Sequence, residues 1–267
     1  MKSNNSSKAE SKNTENNTSN INLQKLKSDY FLQKIYAHIN KNKSLEIVKY
    51  NKKIQNRLNL DIKDYKKYSE TFSSIEIEII PTYEKYGNFI NIEEKDKSYY
   101  HIYFNDNKKE IKNKYEINED DKITKIKIII DYQIKSFQNL FKYCKCIEFI
   151  NFKKFFRNNI TNMSGMFCQC SSLIDIDFSN FNTNNVTDMS HMFGGCLSLK
   201  ELNLSNFNTN NVKYMNGMFF LCPSLKELNL SNFNTNNITD MSLMFGLCSE
   251  DLKINTENKD IKDEAPR

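Results

Sequence analysis

The chain has 267 residues, 39% of them hydrophobic and 12% aromatic, which is enough apolar material for a core. The formal charge of +5 is small, and Lys, Asp and Glu are interspersed from Tyr50 to Lys127, so the composition argues against a nucleic-acid-binding protein. No apolar run approaches the roughly 18 residues of a membrane-spanning helix. The heavy use of Asn, Lys and Ile, with Trp absent, reads as the codon bias of an AT-rich genome.

The opening stretch, residues 1–28, is rich in Ser, Asn, Lys and Glu and has too few apolar residues to bury, which predicts a disordered tail. It contains no apolar h-region of a secretory signal. The chain is therefore expected to be cytoplasmic, with the cell surface as the alternative. From Leu23 into residues 29–73, Leu23, Leu26, Phe31, Ile35 and Ile39 fall near helical spacing, and "NKNKS" separates them from Leu45, Val48, Ile54 and Leu58. That pattern predicts a helical hairpin. From Ser74 the texture turns to alternation, with Ile75, Ile77 and Ile79 around Glu76 and Glu78 and a stop at Pro81. Two later stretches, "YYHIYFNDNKKEIKNKY" and "KITKIKIIID", read as further strands, so residues 74–132 are expected to form a small β-rich unit.

Residues 133–254 carry a repeat. Met163, Met189, Met215 and Met241 recur at a step of 26 residues, as do Phe167, Phe193, Phe219 and Phe245, and Cys170, Cys196, Cys222 and Cys248. One step earlier stand Phe141 and Cys144, so a degenerate first unit begins near Ile134. Within a unit, Met189, Met192, Phe193 and Cys196 have i, i+3, i+4, i+7 spacing, which predicts a short helix with Thr187 or Asp188 as its N-cap. Next, Leu199, Leu202 and Leu204 follow L-x-x-L-x-L, the strand signature of a leucine-rich repeat, and "NTNNV" turns the chain back. Stacked units would bury columns of identical residues. Strands packed closer than helices would curve the array, with the strands on its concave face. Residues 255–267 form a charged tail, and Leu252 and Ile254 just before it can supply a last edge strand.

The seven cysteines suit free thiols in a reducing compartment better than a disulfide framework. Only C-x-C pairs occur, at Cys144/Cys146 and Cys168/Cys170, which is poor zinc-site spacing, so the cysteine column is expected to be structural. His38, His101 and His191 lie far apart, and no acid/base pair, nucleophile elbow or phosphate loop is visible. An enzyme is disfavoured, and neither cofactor nor metal is expected. Binding is expected on the strands. If Leu202 and Leu204 point inward, Glu201, Asn203 and Ser205 point out, and with Asp175, Asp177, Ser179, Glu227, Asn229 and Ser231 they make a mildly acidic strip for a protein partner. Stacked Thr183, Thr209 and Thr235 raise a separate possibility, a flat array for ice, glycan or mineral.

The stretch "NNVTDMSHMFGGCLSLKELNLSNFNTNNV" resembles the BspA-type leucine-rich repeat through V-T-[DN]-M-S-x-M-F-x-x-C-x-S-L-x-x-L-[DN]-L-S-x-F-[DN]-T. The first unit departs from it, with Lys153 to Arg157 in place of Ser-Asn-Phe-Asn-Thr. Such repeats are known from bacterial surface proteins, mycoplasma lipoproteins and protist families. The resemblance implies a solenoid that binds proteins or host surfaces and brings no catalytic residues. Without an export signal, it points to an intracellular protist protein. The stretch "YFLQKIYAHINKNKSLEIVKYNKKIQNRLNL" is loosely similar to an F-box, which would imply a substrate adaptor of a ubiquitin ligase; an adhesin exported by a non-classical route is the other alternative. Together these readings predict an α/β solenoid, a leucine-rich-repeat horseshoe of parallel strands and short helices, preceded by a helical hairpin and a β-rich unit. The expected function is that of a monomeric, non-catalytic protein-interaction scaffold.

Overall fold

A computed structural model describes residues 32–34, 51–60, 63, 70 and 73–266. The expected disordered tail and most of the hairpin and F-box-like stretch lie outside these residues. The chain divides into two compact units, Met1–Tyr68 and Ser69–Arg267. In the first, α1 spans Lys52–Arg57 and is capped by Asn51, whose Oδ1 accepts the Ile54 N–H at 3.1 Å. This satisfies one of the orphan donors of the first turn. Ile54 is buried with Leu32, and Leu58 and Leu60 pack against the pair.

The second unit is mostly sheet. Strand β1 (Ile75–Pro81) buries every other residue, as its Ile/Glu alternation requires. It pairs antiparallel with β5 (Ile126–Ile130) on one side and β6 (Ile147–Lys154) on the other. With β3 (Tyr100–Phe104) outside β5 and β7 (Asp175–Asp177) outside β6, the sheet order is β3-β5-β1-β6-β7. Only β6 and β7 are parallel, so the sheet is mixed. Strands β6 and β7 come from the repeat segment, and the first repeats thus share one sheet with the β-rich stretch before them. A small hairpin-like pair, β2 (Gly87–Asn88) and β4 (Glu116–Ile117), stands apart. Strands β8 (Glu201–Leu202), β9 (Glu227–Asn229) and β10 (Lys253–Asn255) make a separate parallel sheet. The edge strand suggested by Leu252 and Ile254 is β10, and Asn258 then caps a final helix, α2 (Lys259–Glu264), which buries Ile261.

The horseshoe expectation is overturned. Across residues 73–266, helix is confined to a 3-10 turn at Glu94–Tyr99 and to α2, so the expected short helices of the repeats are absent. The Met, Phe and Cys positions lie on chains of turns. Even-numbered amides close turns within a coil, such as Met166 to Met163 and Cys170 to Phe167. Odd-numbered amides cross to the next coil: Met163 N–H donates to Asp188 O, Gly165 to Ser190, Phe167 to Met192 and Gln169 to Gly194, at 2.7–2.9 Å. A helix would keep all these bonds within itself. The conformation that prevents it is left-handed at two positions per coil, for example Gly165 and Gln169, and His191 and Gly195. Asp188 is accordingly no helix cap. It bridges Asn162 and Tyr214 in a parallel ladder, and its Oδ1 accepts the Ser190 N–H and Oγ–H.

The expected curvature loses its cause with the helix. Both sides of a coil are joined to their neighbours by backbone hydrogen bonds at sheet spacing, so there is no thick helical side to force a wedge. The Phe column shows the same spacing. Rings Phe141, Phe167, Phe193, Phe219 and Phe245 stack with centroids 5.6–5.7 Å apart and planes within 9°. The architecture is a pile of parallel-bonded coils built onto a mixed sheet, with one continuous core running from Ile75 to Ile261.

Candidate functional site

The nine strip residues are placed by their neighbours. In each repeat strand the inward positions are buried (Ile176 and Phe178, Leu202 and Leu204, Leu228 and Leu230), and the intervening side chains are left outside. Asp175, Asp177, Ser179, Glu201, Asn203, Ser205, Glu227, Asn229 and Ser231 are all exposed. Register aligns them into rows, with Glu201 opposite Glu227 and Glu227 opposite Lys253, while Asn229 faces Asn255. The strip is divided, however: β7 is an edge of the mixed sheet and β8 an edge of the three-stranded one, with no ladder between them. Asp175 and Asp177 therefore stand beside Phe149 and Asn151 of β6, Ser179 lies in the turn after β7, and the other six residues belong to the second sheet or the turns that follow it.

Half of this polarity is structural. The Asp177 carboxylate accepts the Ser179 N–H at 2.9 Å, Asn203 Oδ1 that of Ser205 at 3.0 Å and Asn229 Oδ1 that of Ser231 at 3.1 Å. These bonds start the turn after each strand. The Ser179 amide, with help from its hydroxyl, Lys153 and Asn151, holds the Asp177 carboxyl below the usual carboxylate range, against a smaller opposing effect of burial. Asp175 Oδ1 accepts its neighbour Ile176 N–H at 2.7 Å. Glu201 and Glu227 make no ion pair among the described residues, although Lys226 and Lys253 are close by in the fold. Two unpaired carboxylates directly opposite each other on a sheet repel.

The Asn/Thr phrase does the opposite work. Thr183 and Thr209 are buried; their hydroxyls donate to Asn208 O and Asn234 O and accept those residues' amides at 2.7 Å. Asn206 and Asn232 reach back to carbonyls of the preceding turn, Phe181 O and Phe207 O among them. These side chains join coil to coil, and with the Thr column buried the flat-array reading for ice, glycan or mineral loses its surface.

Sequence spacing did not reveal the cluster at His101. Its Nδ1 lies 2.9 Å from Glu110 Oε1 and its Nε2 lies 3.3 Å from Asp131 Oδ2. The β3/β5 pairing and the Ile102–Ile111 bridge bring the three together. Burial alone would depress the His101 pKa, but the two carboxylates outweigh it and raise the value above its ordinary 6.5. Both ring nitrogens are already occupied, so the group is built as an ionic clasp and offers no nitrogen to a substrate. His191 is exposed on the turn ladder. His38 lies outside the described residues. A cleft between the β2/β4 pair and the 3-10 turn is lined by Glu94, Lys97, Lys114 and Tyr115, but Lys97 is held by Glu94 and Lys114 by Asp121.

All seven cysteines are free thiols. Among the described residues, no group of three or more His, Cys, Asp or Glu is placed to hold a metal ion, and no helix is long and apolar enough to cross a membrane. Residues 135–258, the stacked coils, match the family described as Mycoplasma protein of unknown function, DUF285. No curated protein and no solved structure matches the chain.

Proposed function

We propose that the chain is a non-catalytic scaffold that binds a protein partner through the outward rows of its repeat strands. The observation that carries this reading is the Glu201/Glu227 pair: two exposed carboxylates held in register that make no ion pair among the described residues, where Asp177, Asn203 and Asn229 of the repeat strands start the turns. Placing like charges opposite each other costs stability, and a basic group from a partner would relieve the cost. The resemblance of the repeat phrase to BspA-type repeats, which bind proteins, supports the same conclusion. Seven free thiols, most of them buried, support a reducing compartment such as the cytoplasm.

Proximity labelling in the native cell supplies the candidate partners, and purified candidates can then be compared on the native chain and on Glu201→Lys/Glu227→Lys. The expected result is a partner whose Kd rises at least tenfold (about 1.4 kcal/mol) with no fall in Tm. Equal affinity of every candidate for both proteins would refute the strip as the site.

A further inference from the structure

The pile of coils has two ends, and the chain treats them differently. At its start, two of the four carbonyls that a preceding coil would occupy, Leu140 O and Lys142 O, are taken by one residue of the sheet unit. Asn91 donates its backbone N–H to Leu140 O at 2.7 Å, and its Nδ2 to Asn139 O at 3.1 Å and Lys142 O at 2.7 Å. At the other end, two of the three sides of the last coil are closed. Strand β10 covers β9, and Asn258 and Asp260 at the start of α2 take the Thr235 hydroxyl in place of a further asparagine turn.

The third side is open. In the coil before it, Met215, Gly217, Phe219 and Leu221 donate to Asp240, Ser242, Met244 and Gly246. The equivalent amides of the last coil, Met241, Leu243, Phe245 and Leu247, have no acceptor among the described residues, although the even-numbered amides between them still close their turns. Leu243 and Leu247, which supply two of these four amides, are 64% and 66% exposed. Four aligned donors without carbonyls beside two exposed leucines make an unfinished ladder edge, the kind of surface that chains complete by strand or coil addition.

We infer that this edge docks a coil of the same turn conformation from another protein, which supplies four carbonyls at alternate residues and lays apolar side chains on Leu243 and Leu247. The polarity of the edge selects the occupant. A second copy of this chain cannot pair edge to edge, because donors would face donors. Nor can it complete the ladder head to tail, because Asn91 already fills two of the four matching carbonyls of its first coil, Leu140 O and Lys142 O. The site is independent of the strand rows and lies on the turn side of the pile.

The inference is tested on the full chain by residue-resolved amide hydrogen exchange, with a synthetic peptide copying Thr187 to Ser198, TDMSHMFGGCLS, as the incoming coil and a scrambled peptide as control. In the chain alone, the amides of Met241, Leu243, Phe245 and Leu247 should exchange much faster than those of Met215, Gly217, Phe219 and Leu221. The copied peptide, and not the scrambled one, should slow the first four by roughly tenfold or more at saturation. Three results overturn the inference: the four amides are already as slow as their counterparts in the chain alone, their protection rises with protein concentration without peptide, or they remain fast at the highest peptide concentration.

Discussion

Cys196 donates its thiol hydrogen to the carbonyl oxygen of Phe167, 3.2 Å away in the preceding coil. The same bond recurs from Cys170 to Phe141, Cys222 to Phe193 and Cys248 to Phe219, at 2.9–3.1 Å. The cysteine column is therefore a hydrogen-bonded rail between coils, in which a small, weakly polar side chain both fills the core and uses a second lone pair of each Phe carbonyl.

Reactivity should follow position on this rail. Burial pushes the Cys170 and Cys196 thiols well above the ordinary range and that of Cys222 to about 12, so none of the three supplies a thiolate in the folded chain. Cys168 and Cys248 are only partly buried. Alkylation by iodoacetamide under native conditions, followed by peptide mass mapping, should modify Cys168 and Cys248 first and leave the other three untouched until denaturant is added. Early modification of Cys196 would show that the rail is not closed.

The left-handed positions explain both a stability cost and a misreading. At φ near +57°, a side chain with a Cβ crowds its own carbonyl, at a cost of roughly 1–2 kcal/mol relative to an unstrained conformation. Gly217 sits in this column with φ 58°, whereas Leu243 sits there with φ 56° and is mostly exposed. Leu243→Gly should therefore raise stability by about 0.5–1 kcal/mol, the relief of strain less the added freedom of the unfolded chain. Urea unfolding is the measurement, and a lower midpoint would mean that Leu243 is held by packing.

The same column shows what could be read in advance. The period, the buried Met, Phe, Cys and Leu columns, the strands of the β-rich stretch and the outward strip residues follow from spacing, because a strand or coil buries the apolar side chains that recur at its inward positions. The helix did not follow. Spacing of i, i+3, i+4, i+7 also fits a turn spiral, and the distinguishing signal, a glycine every fourth residue, is blurred by Asn139, Gln169, His191, Leu221, Leu243 and Leu247 at the same left-handed positions. The clasp at His101 was also illegible, because it depends on which strands pair and in what register.

That clasp carries a pH dependence. The folded His101 pKa is raised above 6.5, so the clasp's contribution is fully present below about pH 6.5 and is lost as pH rises through the higher folded value. Glu110, held below the carboxylate range by Lys112 first and then by His101, acts in the opposite sense, and its contribution is lost only in acid. Between pH 6 and 8, the urea midpoint of the native chain should therefore fall more steeply than that of His101→Gln, whose side chain keeps polar contact without titrating. Parallel slopes would show that His101 is not charged in the clasp.

Turn and strip should separate cleanly when each is mutated. Thr209 donates its hydroxyl to Asn234 O at 3.0 Å and accepts the Asn234 N–H at 2.7 Å, all within the buried Thr column. Thr209→Val keeps the shape and removes both bonds, leaving the Asn234 amide without its acceptor, and should cost about 1–3 kcal/mol. Glu201→Gln touches only an exposed side chain and should stay within about 0.5 kcal/mol of the native chain. Relief of the repulsion between Glu201 and Glu227 would make that small change stabilising, which chemical denaturation at low ionic strength can resolve. If instead Glu201→Gln proves the more damaging of the two, the strand face holds the coils together, and the assignment of scaffold to the turns and recognition to the strip must be exchanged.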